Sequence, residues 1–273
     1  MSVASEITRI QNNIASAYTA VNNKGGTLPA TQNSANLATA INSISGGGSS
    51  SILVKDENIR FAYSKFTTIP SCLDFTGTTE FNHMFYQCGS LTTISNLDTS
   101  SATNLNYLCG SCSNLTSVSF TSTSNVTNFS YVFSTCSKLT SFPQMNTSKG
   151  TDFTGFIYYC SKLTTVPQYD FSKATSLGQY FSRSCPLLTT LGGFVNLGQA
   201  YLTTRAANYS SYIVGLSDLT ALNHDSLMNV INNLYNIATK GCNTQALQLG
   251  STNLAKLSSA EIAIATNKGW TVS

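Results

Sequence analysis

Five cysteines, Cys88, Cys112, Cys136, Cys160 and Cys185, recur at a constant interval that lengthens by a single residue before the fifth. Three residues after each stands a leucine (Leu91, Leu115, Leu139, Leu163, Leu188). Three further on lies another apolar side chain (Ile94, Val118, Phe142, Val166, Leu191). A period held through five registers means that the chain is built from copies of one unit. One unit cannot bury its own apolar stripe, so neighbouring copies must stack and bury it against each other.

The stretch before each cysteine is also regular. Phe81, Met84, Phe85 and Cys88 sit at i, i+3, i+4 and i+7, and so do Leu105, Leu108, Cys109 and Cys112. Phe129, Val132, Phe133 and Cys136 repeat the spacing, as do Phe153, Phe156, Ile157 and Cys160. This spacing predicts a two-turn helix with one apolar face. Thr79, Thr103, Thr127, Thr151 and Thr175 stand two residues before these helices and read as N-caps, whose hydroxyls accept from first-turn amides. The stretch after each cysteine, such as Leu163-Thr164-Thr165-Val166, reads as a short strand. The expected fold is therefore an α/β repeat, a leucine-rich-repeat solenoid of about 24-residue helix–strand units over residues 58–222. Its parallel strands would lie about 4.8 Å apart, with helices on the other side. Phe66-Thr67-Thr68-Ile69 reads as a degenerate leading unit with Tyr63 in the cysteine slot, and Leu219-Thr220-Ala221-Leu222 as a late one.

The cysteines invite a metal or redox reading, because Cys109-x-x-Cys112 looks like a ligand pair. The register argues against it, since Cys109 occupies the slot filled by Phe85, Phe133 and Ile157. With His83 and His224 far apart in sequence, no ligand cluster for zinc is visible. The expectation is buried free thiols in a reducing compartment, no metal and no cofactor. Glu80, Asp98, Asp152, Asp170 and Asp218 are isolated and read as turn or cap residues. With no nucleophile elbow, carboxylate pair or phosphate loop, the expectation is a protein that is not an enzyme.

Only 9% of residues are Asp, Glu, Lys or Arg, against roughly 25% in an average domain. Ser, Thr, Asn and Gln take their place, and the net charge of +3 is thinly spread. Nucleic acid needs clustered Lys and Arg, so it is excluded as a partner. No apolar run is long enough for a transmembrane helix, and the first residues lack the basic start and apolar core of a signal peptide. The outward positions of the strands carry the candidate ligand face: Thr93, Ser95, Ser117, Ser119, Ser141, Pro143, Thr165 and Pro167, with Gln168 and Tyr169 beyond one strand adding an amide and a stacking ring.

Residues 1–45 differ in kind. Ile7, Ile10, Ile14, Ala17 and Val21 follow an a/d heptad pattern, predicting a helical anchor. The helix either associates with copies of itself or docks on a second helix near residues 34–43; the expected assembly is a homo-oligomer, a homotrimeric coiled coil held by residues 1–45. Residues 46–57 open with Gly-Gly-Gly-Ser-Ser-Ser and read as a linker. Residues 223–273 read as a C-terminal cap: a helix at 225–238, a strand at 246–249, a capping box Ser258-x-x-Glu261 opening a last helix, and a final strand in which Trp270 plugs the core.

Ser124-Asn125-Val126-Thr127-Asn128-Phe129-Ser130-Tyr131-Val132-Phe133 and Cys136-Ser137-Lys138-Leu139-Thr140-Ser141 resemble the BspA-like leucine-rich repeats of bacterial surface proteins, a resemblance covering residues 58–222. Residues 249–257 and Lys268-Gly269-Trp270 look like the C-termini of such proteins in Firmicutes and their phages. The stretch 24–37 looks like an attachment module of phage virion proteins. The resemblance implies binding to host proteins or glycans. A virion fibre or receptor-binding protein, made in the host cytoplasm and attached to other virion proteins through its N-terminus, is the leading expectation. A bacterial surface or exported adhesin is the second, and a purely structural capsid or tail decoration the third.

Overall fold

The structure is a computed structural model. It describes residues 15, 17–19, 21, 22, 32, 36, 40, 52–54, 60–177, 181–200, 213–240 and 245–273. The elements run β1 (Ile52–Leu53), β2 (Leu73–Asp74), β3 (Thr93–Leu97), β4 (Ser117–Phe120), β5 (Ile157–Tyr158), β6 (Thr165–Val166), β7 (Tyr169–Asp170), β8 (Ser182–Arg183), β9 (Thr190–Leu191), β10 (Phe194–Val195), β11 (Ile213–Gly215), α1 (His224–Asn233), β12 (Gln245–Gln248), α2 (Gly250–Leu254), α3 (Ser259–Asn267) and β13 (Trp270–Val272). The pairs β1–β2, β3–β4, β5–β8, β6–β9 and β7–β10 are parallel, as is the triplet β11–β12–β13. Isolated parallel bridges join Glu80 to Asn104, Asn104 to Asn128, Asn128 to Asp152 and Asp152 to Ser176.

The expected α/β leucine-rich-repeat solenoid of helix–strand units is overturned by this arrangement. The chain is mostly short parallel strand pairs, and the named helices α1–α3 all lie beyond residue 223. Residues 81–88, 105–112 and 129–136 are successive turns; 153–160 are turns around β5. The expected N-terminal helical module is likewise not among the named elements, which begin with β1. Ile7, Ile10 and Ile14 lie outside the described residues.

The physical reason is where the amides go. In a helix each N–H bonds four residues back. Here the amides of Phe81, His83, Phe85 and Gln87 donate to the carbonyls of Asn104, Asn106, Leu108 and Gly110 in the following repeat, at 2.8–2.9 Å. Those of Leu105, Tyr107, Cys109 and Ser111 donate in turn to Asn128, Ser130, Val132 and Ser134. The intervening amides close tight turns, Met84 to Phe81 and Cys88 to Phe85. Each turn pair carries two left-handed residues: His83 (φ 57°) and Gln87 (φ 55°), Tyr107 (φ 51°) and Ser111 (φ 63°), Tyr131 (φ 52°) and Thr135 (φ 60°). Such a pair of turns points i, i+3, i+4 and i+7 inward as a helix would. It also keeps the repeats at strand spacing, about 4.8 Å, whereas packed helices sit 8–10 Å apart.

The threonine caps are corrected for the same reason: with no helix to cap, each hydroxyl donates instead. Thr103, Thr127, Thr151 and Thr175 give both the amide and Oγ1 to the carbonyl of the threonine one repeat earlier. The turns are held by the next residue, as Asn104, Asn128 and Asp152 accept through Oδ1 from the amide two positions on. Asp98 and Asp170 do the same for Ser100 and Ser172.

Inside, the repeating Phe, Leu and Cys side chains form one continuous buried cluster. Phenylalanines meet face to face between successive repeats, as in Phe129–Phe153 at 5.3 Å, and edge on within one, as in Phe153–Phe156 at 5.3 Å. The leading unit departs from expectation by one residue. The amide of Tyr63 pairs with the carbonyl of Tyr86, which places Ser64, buried, in the cysteine slot and turns Tyr63 outward. At the other end, α1, β12, α3 and β13 follow the expected helix–strand–helix–strand order, with α2, not expected from the sequence, between β12 and α3. The capping box at Ser258 and Glu261 is formed in both directions. Trp270 is buried and donates from Nε1 to the Tyr235 carbonyl at 2.9 Å.

Candidate functional site

The cysteines are structural in their geometry. The seven described cysteines carry free thiols. Sγ of Cys88, Cys112, Cys136 and Cys160 donates to the carbonyls of Phe61, Phe85, Cys109 and Phe133, at 3.0–3.1 Å. Burial pushes the thiols of Cys88, Cys109 and Cys136 far above the ordinary range, the opposite of what a reactive thiolate needs. Among the described residues no group of three His, Cys, Asp or Glu side chains is placed to hold a metal.

The expected ligand face lies where β3, β4, β6 and β9 and their neighbours run. Ser95, Ser117 and Ser141 are exposed; Thr93, Ser119, Pro143, Thr165 and Pro167 are half-buried. Thr93 pairs with Ser117, and Thr165 with Thr190. Ser141 meets Thr165 only by an isolated bridge. Pro143 and Pro167 lack the amide that would extend it, so β4 pairs with β3 alone. Beside this face runs a second threonine file, in which Oγ1 of Thr92, Thr116, Thr164 and Thr189 donates to the carbonyls of Thr67, Thr92, Thr140 and Thr164. Gln168 is exposed, with Nε2 3.5 Å from Asn233 Oδ1. Tyr169 is a correction: it is 2% exposed, packs on Phe156 and donates to the Pro143 carbonyl at 2.6 Å. The inward spacing of three continues past the strand, from Leu163 through Val166 to Tyr169, just as it runs from Leu91 through Ile94 to Leu97.

The heptad strip is described only in part. Ala17 and Val21 are buried in the core of the single chain. His224 does not cap α1. Asn223 does, through Oδ1 to the Ser226 amide, while His224 Nε2 lies 2.7 Å from Glu261 Oε1 on α3. That carboxylate raises the histidine pKa above its ordinary value, and its capping contacts with Ser258, followed by His224, lower its own.

A second surface was missed by reading strands alone. On the turn side, His83, Tyr107 and Tyr131 stack in register, with centroids 4.9 and 4.6 Å apart and planes within 22° and 8°. Tyr86 stands at 90° to Tyr107, Tyr158 at 89° to Tyr131, and Tyr159 against Tyr158 at 4.6 Å. Tyr63 meets Tyr86 edge on at one end, and the Arg183 guanidinium lies 6.0 Å over Tyr159 at the other. Burial, then the neighbouring phenols, raises the Tyr107 pKa. The signal was legible as a column: His83, Tyr107 and Tyr131 stand one full period apart, each two positions after an inward Phe or Leu.

The described repeats run parallel and present uncharged faces lined with hydroxyls and tyrosines. The middle of the chain, residues 74–192, matches the model of a family described as "Mycoplasma protein of unknown function, DUF285". No curated protein and no solved structure matches the chain.

Proposed function

We propose that the chain is a non-enzymatic binding protein of a phage virion, a fibre or receptor-binding component that attaches through residues 1–45 and contacts the host surface through its repeats. Its kin in this reading are the BspA-like proteins of Firmicutes or their phages. The observation that carries it is the set of uncharged hydroxyls on the strand face, Thr93 paired with Ser117 across β3 and β4, Ser141 bridged to Thr165, and Ser95 exposed beside the first pair. Backbone pairing holds it in place, so little conformational freedom is lost on binding. A neutral array of this kind suits a glycan or a protein loop more than an acidic polymer. A second reading, a bacterial surface or exported adhesin, draws support from the matched family's description as a bacterial protein.

Attachment of purified protein to bacterial cells, and immunogold labelling of particles against cells, test the proposal. Gold on virions supports the first reading, and gold on cell envelopes the second. The double variant Ser141→Lys, Thr165→Lys is expected to abolish attachment with an unchanged melting temperature. Attachment that persists, or that falls steeply with salt as charge-driven contacts do, would move the contact off this face.

A further inference from the structure

We infer that the tyrosine stripe on the turn side is a second binding site, for a neutral glycan laid along the repeats. This rests on the binding-protein reading above and adds a face that the reading does not use. Six tyrosines, Tyr63, Tyr86, Tyr107, Tyr131, Tyr158 and Tyr159, form an unbroken chain of ring contacts. Tyr63 and Tyr159, at 42% and 40% exposure, are among the most exposed large hydrophobic side chains described.

Backbone strain is the second observation. Tyr63, Tyr107, Tyr131 and Tyr159 all sit at φ between 51° and 64°, where a side chain with a Cβ is strained. Tyr107 and Tyr131 share one slot, which Gly155 fills at φ 61° in the repeat after Tyr131, so the fold accepts glycine there. Tyrosine in these slots places large, stiff rings outward that the backbone alone does not call for. The rings are also seated. An added Cβ would come within 2.1 Å of the Tyr131 ring at Gly155, and within 2.8 and 3.0 Å of the Tyr107 and Tyr86 rings at Gly110. A pre-seated tyrosine platform contributes contact area at low entropic cost.

The occupant follows from chemistry. The C–H faces of pyranose rings pack on exposed aromatic rings, here Tyr63 and Tyr159, while Tyr107 and Tyr131, stacked on each other, offer their phenol hydroxyls, which both donate and accept. Gln87, Ser111 and Thr135, between Tyr63 and Tyr159 in the same column, add an amide and two hydroxyls without charge. Repeats about 4.8 Å apart advance by close to one pyranose per repeat, so a linear glycan keeps step with them.

The test uses the full chain on an array of neutral glycans with heparin fragments as charged comparators, alongside melting temperature and light scattering. Binding to neutral glycans is expected, weakened at least tenfold in Tyr63→Gly, Tyr159→Gly, with an equal or higher melting temperature because left-handed strain is relieved. Tyr86→Ser, at an ordinary backbone position, should weaken it as well and serves if the double variant does not fold. No neutral glycan bound, unchanged binding in the variants, binding to heparin alone, or a dimer mass that the variants abolish would each overturn the inference. Cell attachment without array binding sinks the stripe and leaves the function proposed above. Array binding without attachment does the reverse.

Discussion

At the scale of single residues, the cysteine file shows why a thiol recurs where alanine or valine would also be apolar. Each thiol fills space in the core and reaches a carbonyl of the preceding repeat, a contact of 3.0–3.1 Å in four of them. Ser64 is the natural control: it holds the same slot, is buried, and its Oγ has no hydrogen-bond partner among the described residues. Cys136→Ser is therefore expected to destabilise by about 1–3 kcal/mol, since a hydroxyl on a shorter bond is left buried and unpaired. Ser64→Cys should raise stability. Urea denaturation with reductant present measures both, and a neutral Cys136→Ser would show that the thiol contact carries nothing. The sulfur ladder was half legible: spacing showed the side chains inward, but each acceptor lies more than a full period back in the chain and enters reach only when the repeats stack.

Among the elements, the turn pairs depend on left-handed residues, and glycine is required where a ring lies on the backbone. Gly155→Ala would drive a methyl into the Tyr131 ring at φ 61°. It is expected to cost about 1–3 kcal/mol. Gly215→Ala in β11, with nothing within 4 Å of the added carbon, is the control and should be tolerated. Thermal melts of the two decide whether the turn side is held by ring packing or by backbone pairing alone. In the C-terminal elements, α1 and α3 are tied by His224 and Glu261. The histidine's raised pKa means that its contribution is full below 6.5 and is lost as pH rises through the folded value. The glutamate's lowered pKa means that its contribution is full above 4.5 and is lost as pH falls through the folded value. The contact is thus strongest between pH 4.5 and 6.5. Glu261→Gln keeps an oxygen for the capping box but removes the charge, so an NMR titration should find the His224 pKa lower in the variant; an unchanged value would mean that the pair does not form in solution. Lys268 closes the same unit by donating from Nζ to the Ile231 and Asn232 carbonyls near the end of α1, where a cation is favoured by the helix dipole.

On the scale of the whole molecule, the heptad strip had two readings, self-association or docking within the chain. Ala17, Tyr18 and Val21 are all at most 4% exposed in a single chain, which supports docking. Light scattering is expected to give a one-chain mass for the full protein and for a chain starting at Ser51. A trimer lost on truncation would restore the coiled coil. Sequence alone determined the period, the identity of the inward Phe, Leu and Cys side chains, and the C-terminal capping box. These rest on local spacing and on contacts within four residues. Only the tertiary structure decided that the segments before each cysteine are turns and not helices, because i, i+3, i+4 and i+7 point inward in both. What separates them is the amide's partner, a carbonyl in the following repeat, which no local pattern encodes. The same holds for the tyrosine stripe: its rings are distant in the chain and become one surface when backbone pairing sets the repeats about 4.8 Å apart.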